Sequence, residues 1–116
     1  MSAWVNRAKM STPTTGAGTI TLGVAASGYQ SFAAAGVIDG DVLRYVIEDG
    51  SAWEIGVGSY AASGTTLTRS PSQSSAAGAA ISLSGTAAVY VTGTAEDVSP
   101  ASFGVQIALG RSAFLP

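Results

Sequence analysis

Acid–base catalysis, nucleophilic catalysis and metal binding draw on a short list of side chains, and this sequence holds few of them. It contains no Cys and no His, which removes thiolate nucleophiles, imidazole bases and the common zinc ligand sets. The one lysine, Lys9, lies in a Thr/Ser-rich run without the Ser-x-x-Lys spacing that would set it beside a nucleophilic serine. The carboxylates form two turn-like clusters, Asp39-Gly40-Asp41 and Glu48-Asp49-Gly50, with Glu54 following. Neither cluster has the alternating acidic spacing of a calcium loop. They flank one β-type run whose ends stand roughly 20 Å apart, too far for a catalytic pair. Glycan hydrolysis would need such a pair from Asp39, Asp41, Glu48 and Glu54, and Glu54 is better explained by Arg44. Gly16-Ala17-Gly18 lacks the continuation of a phosphate-binding loop and leads into a strand pattern, so a hairpin or bulge is expected there. Tyr29, Phe32, Tyr45, Trp53, Tyr60 and Tyr90 offer the rings of a sugar platform, but their placement in β-type runs favours core or subunit contacts. The expectation is a chain without catalytic residues, metal ligands or cofactor.

The elements that position these residues read as β throughout. Apolar residues alternate with small or polar ones at Ile20, Leu22 and Val24, at Ile81 and Leu83, at Val89 and Val91, and at Val105, Ile107 and Leu109. Helical periodicity is missing nearly everywhere. Residues 41–57 form the clearest hairpin, turning at Asp49-Gly50. A two-residue loop would set Arg44 opposite Ile55; a three-residue loop, Glu48-Asp49-Gly50, sets Arg44 opposite Glu54. The second is expected, because it places Leu43, Tyr45, Ile47, Trp53, Ile55 and Val57 on one face and adds a cross-strand ion pair. With Ile20, Leu22 and Leu67 these six make up the expected core. Residues 61–64, 71–80 and 92–101 read as linkers, the second as a low-complexity exposed loop.

Composition limits the function classes. The chain has 116 residues, which fits one domain, and a formal net charge of −2 with no basic stripe, which argues against nucleic-acid binding. No apolar run reaches the roughly 18 residues of a membrane span, and the N-terminus lacks the apolar stretch of a signal peptide, so synthesis in the cytoplasm is expected. Charged residues make up only 10% of the chain, against roughly 25% in an ordinary soluble domain. A surface so poor in charge is expected to be covered in its working state, by copies of itself or by a partner. Residues 1–93 read as the β module. Residues 94–116 read as a polar connector and an apolar segment with Phe103, Val105, Ile107, Leu109, Phe114 and Leu115, either a last strand of the same sheet or an arm that adds to a neighbour. These six are the candidate protein contacts.

Several motifs carry a family resemblance. Trp4-Val5-Asn6-Arg7, the run from Thr14 through Leu22, Gly28-Tyr29-Gln30-Ser31-Phe32, Ile47-Glu48-Asp49-Gly50, Trp53-Glu54-Ile55-Gly56-Val57-Gly58, Tyr60 and Gly64-Thr65-Thr66-Leu67-Thr68-Arg69 together resemble a small module common in tailed bacteriophages. Such modules are labelled as similar to the first catalytic cysteine half-domain of ubiquitin-activating enzymes. That likeness is one of β fold, and this chain has no Cys with which to do ubiquitin chemistry. The resemblance covers roughly residues 4–91 and implies a virion component.

The expected fold is therefore all-β, a compact small β-barrel or β-sandwich of about six to eight short, mostly antiparallel strands. The expected role is a non-enzymatic virion protein, foremost a capsid decoration (cement) protein on the head. Its expected partners are the major capsid protein and copies of itself, as a trimer, with no nucleic acid and no membrane. The alternative is a tail, tail-tip or fibre component with receptor contact. Long fibres show repeats or heptads, and neither occurs here.

Overall fold

The computed structural model describes residues 5–92 together with the short strand Ser2–Ala3. The fold is all-β. Its strands are β1 (Ser2–Ala3), β2 (Lys9–Thr12), β3 (Thr15–Gly16), β4 (Ile20–Thr21), β5 (Val42–Asp49), β6 (Ala52–Ala61), β7 (Thr66–Leu67), β8 (Ser70–Ser74), β9 (Leu83–Ser84) and β10 (Ala87–Val91). One helical turn, α1 (Phe32–Ala35), interrupts them. Ser31 caps it by accepting from the Ala34 amide, and Gly36 ends it with a left-handed φ of 112°.

Eight strands form one curled sheet, with the path β2-β10-β5-β6-β7-β4; β1 lies parallel beside the start of β5, and β8 pairs with the first half of β6. β3 and β9 make a separate ribbon. Beyond β4 the chain hydrogen-bonds back onto β2: the Gly23 amide donates to the Ser11 carbonyl, the Ser11 amide to Val24 and the Ala26 amide to Lys9. Residues 22–26 thus bridge the two ends of a half-barrel. Closing the path satisfies edge groups that would otherwise invite pairing with another chain.

Inside lie Met10, Ile20, Leu22, Phe32, Leu43, Tyr45, Ile47, Tyr60, Leu67, Ile81, Leu83 and Val89, all buried. Phe32 and Tyr60 meet with ring centroids 6.2 Å apart. The Ile20, Leu22, Leu43, Tyr45, Ile47 and Leu67 positions expected of the core are among them.

The β5–β6 hairpin departs from the expected register. Asp49 pairs with Ala52, Glu48 with Trp53, Ile47 with Glu54, Tyr45 with Gly56 and Arg44 with Val57, leaving Gly50-Ser51 as the two-residue loop. Gly50 takes a left-handed φ of 63° at the first loop position, which glycine allows without strain. Asp49 stays outside the loop because its carboxylate binds the β3–β9 ribbon, accepting from the Ser84 amide at 2.7 Å and the Ser84 hydroxyl at 2.8 Å. The shift reverses the phase of β6 relative to expectation. Glu54, Gly56, Gly58 and Tyr60 face the interior, while Trp53, Ile55 and Val57 face out, with Trp53 38% exposed. Trp53, Ile55 and Val57 are therefore not core, and Arg44 is not opposite Glu54.

Crowding accounts for this phase. Residues 67–71 cross directly over the inward side of β6. A Cβ on Gly56 would strike the Ser70 carbonyl and the Tyr45 hydroxyl, and one on Gly58 would strike the Thr68 carbonyl. Only the glycine phase lets the chain cross there. Residues 71–80, expected as a loop, begin as strand β8 and turn only afterwards.

Candidate functional site

Among the described residues the interior carries one charged cluster. Glu54 is fully buried, and Arg69 reaches it from the segment between β7 and β8. Arg69 Nη2 lies 2.5 Å from Glu54 Oε1, and Nε donates to Oε2 at 3.2 Å. The Tyr45 hydroxyl donates to Oε2 at 2.6 Å, and the Ile81 amide donates to Oε1 at 3.0 Å. Arg69 spends its remaining donors on the Gly16, Gly18 and Ile81 carbonyls. Burial pulls the Glu54 pKa up, but Arg69, the Tyr45 hydroxyl and the Ile81 amide outweigh it and hold the carboxyl below its ordinary range. Burial, then the Glu54 carboxylate, push the Tyr45 phenol well above its ordinary range. Every buried side-chain polar atom of the described residues has a partner. This cluster is a clamp joining β5, β6, the Gly16–Gly18 turn and Ile81 in the segment leading into β9. Its groups are consumed by one another, and the Gly16-Ala17-Gly18 turn aims carbonyls, not amides, at the cation it holds.

The other features lie on the outward face of the sheet. The β5–β6 register sets Val46 beside Ile55, with Val57 and Trp53 on either side. These four form an apolar stripe, exposed at Trp53, half-buried at Ile55 and Val57 and already buried at Val46, on a face that antiparallel sheets commonly leave polar. Val42, also outward, is 36% exposed.

At the other edge of the same face is a groove. The β2–β10 register sets Lys9 opposite Tyr90, and the β10–β5 register sets Tyr90 opposite Val46, one row from Glu48. The loop before α1 brings Tyr29 alongside, held by the Lys9 amide donating to the Gln30 carbonyl at 3.1 Å. Lys9, Tyr29, Glu48 and Tyr90 line a cavity of about 250 Å³. Lys9 Nζ sits 5.1 Å from the Tyr29 ring centre and 5.6 Å from that of Tyr90. The Arg7 guanidinium stacks 4.0 Å from the Tyr29 ring centre and donates to the Gly28 carbonyl at 2.8 Å. The Tyr90 hydroxyl donates to Glu48 Oε2 at 3.0 Å. Burial, and then that carboxylate, raise the Tyr90 pKa above its ordinary value.

Sequence reasoning named the aromatics as one set, and the structure divides them. Phe32, Tyr45 and Tyr60 are core, Trp53 joins the outward stripe, and Tyr29 and Tyr90 flank Lys9. Asp41 closes a local turn by accepting from the Ile38 amide, and Asp39 ties that turn to the end of β6 by accepting from the Ala62 amide. Phe103, Val105, Ile107, Leu109, Phe114 and Leu115 lie outside the described residues, as does the boundary expected at residue 93. Arg69 as the partner of Glu54 was missed, although it is the only charged residue between Glu54 and Glu96. A lone arginine in so long an uncharged stretch signals a buried partner.

Among the described residues no three Asp or Glu side chains gather as a metal site, and no helix is long and apolar enough to cross a membrane. No protein-family model matches the chain, nor does any curated protein or solved structure.

Proposed function

We propose that this chain is a structural subunit of a tailed-phage particle that works by protein–protein contact and not by catalysis. Its role is to decorate and cement the head, with the major capsid protein and copies of itself, as a trimer, for partners. The observation that carries the contact reading is the reversed phase of β6. It turns Trp53, Ile55 and Val57 outward beside Val46, on a chain with only 10% charged residues. An apolar stripe of this kind on a sheet face is what a partner covers. The motifs resembling the phage module supply the virion part of the reading. The acid–base groups of the interior support a non-catalytic role, since Glu54, Arg69 and Tyr45 are bound to one another.

Quantitative mass spectrometry of purified particles, with heads and tails separated, tests this. The expected result is a copy number in heads of the order of that of the major capsid protein. A few copies confined to tails would make the chain a tail component, and absence from both fractions would overturn the virion reading.

A further inference from the structure

The groove between Tyr29 and Tyr90 has the composition of a ligand site that neither the stripe nor the clamp uses. We infer that it binds a single carboxylate-bearing sugar unit. Lys9 makes cation–π contacts with both rings, but among the described residues its ammonium has no hydrogen bond and no carboxylate within ion-pair reach. A half-buried ammonium left in that condition retains its capacity for an anion. Arg7, stacked on Tyr29, adds a second positive charge beside it. Glu48 lines the groove and uses Oε2 for the Tyr90 hydroxyl, so its carboxylate keeps capacity to accept from a ligand hydroxyl. The ligand therefore needs an anionic group for Lys9, hydroxyl donors for Glu48 and a carbon skeleton that packs on phenol rings.

A carboxylated pyranose meets all three needs. An acidic peptide meets the first alone, since its side chains bring neither hydroxyl donors for Glu48 nor a ring to pack on the phenols. A neutral sugar leaves Lys9 without its anion. The cavity of about 250 Å³ falls below the roughly 300–1,000 Å³ of pockets for drug-sized ligands, so one ring is bound and the rest of a glycan lies outside.

The test is isothermal titration of the purified full chain with three probes: an oligogalacturonide, the corresponding neutral galactose oligomer, and oligoglutamate. Saturable binding of the oligogalacturonide is expected, with a Kd of the order of 1 mM for so small a site, weakened by added salt. The neutral oligomer is expected to bind at least about tenfold more weakly, a difference of about 1.4 kcal/mol, and oligoglutamate not to bind. Lys9→Met, which keeps the apolar stem, is expected to lower the affinity for the oligogalacturonide to that for the neutral oligomer while leaving the melting temperature unchanged. Tyr90→Phe, which removes the hydroxyl that orients Glu48, is expected to weaken binding of both sugars. Equal binding of acidic and neutral sugars, preference for oligoglutamate, no saturable binding, or an unaltered Lys9→Met variant would each overturn the inference. None of these outcomes depends on where in a particle the chain resides.

Discussion

At the scale of the residue, Glu54 and Arg69 decide most. Removing one partner of a buried ion pair leaves the other charged and unsolvated, at a cost of about 3–5 kcal/mol. Arg69→Met is expected to lose that much stability in urea denaturation at neutral pH, a large share of what a domain this size has. The pH dependence should also change sign. In the native chain the folded Glu54 carboxyl is held below its ordinary value of 4.5, so its contribution is present above about that pH and is lost as pH falls. Without Arg69 burial dominates and the neutral acid is preferred, so the variant should gain stability between neutral pH and pH 4, where the parent does not. Tyr45 reports from the alkaline side. Its folded pKa lies above its ordinary value of 10.0, so its contribution is intact below pH 10 and is lost as pH rises beyond it. Tyr45→Phe is expected to cost about 1.5–3 kcal/mol at neutral pH, as for a hydrogen bond to a charged group. A denaturation series should show a flatter alkaline decline in this variant than in the parent.

At the scale of the element, strand β6 shows both what can be read from sequence and what cannot. Alternation and turn residues announced the β runs, the hairpin at residues 41–57 and the buried positions Leu43, Tyr45 and Ile47. The phase of β6 was not legible, because hydrophobicity alone sends Trp53, Ile55 and Val57 inward. Two tertiary facts override it: residues 67–71 cross where only Gly56 and Gly58 leave room, and Arg69 arrives with that crossing to neutralise Glu54. A one-residue change of register exchanges the two faces of a strand, so a single wrong turn assignment moved three residues. The groove was illegible for a related reason. Tyr29, Glu48, Lys9 and Tyr90 come from four separate segments, brought together by the pairings of β2, β10 and β5 and by the Lys9–Gln30 backbone hydrogen bond that docks the loop carrying Tyr29. Gly58→Ala tests the crossing. The added methyl meets the Thr68 carbonyl, which belongs to the backbone and cannot rotate away. A loss of at least about 1–3 kcal/mol is expected, read as a lowered urea midpoint, whereas an alanine at the exposed loop position Gly18, where nothing lies within 4 Å, should be nearly neutral.

At the scale of the whole molecule, an apolar residue on the outside separates stability from assembly. Trp53 at 38% exposure and Ile55 at half-burial lie outside the core cluster, so Trp53→Ser combined with Ile55→Thr should change stability by no more than about 1 kcal/mol, as surface substitutions do. A core tryptophan would cost about 3–5 kcal/mol when truncated, so the melting curve alone distinguishes the two placements. The same double variant removes the centre of the stripe that the proposed contact uses, and buried aromatic anchors carry a disproportionate share of interface energy. Over a shell with many copies, small losses at each contact compound. Particles assembled with this variant should therefore carry fewer copies per head and release their contents at lower temperature than particles with the parent chain. A control variant with Thr19→Ser, exposed ahead of β4 and outside the β5–β6 face, should retain full occupancy. If the double variant melts like the parent and still fills the head, the stripe is not the contact, and the partner must engage another face of the half-barrel.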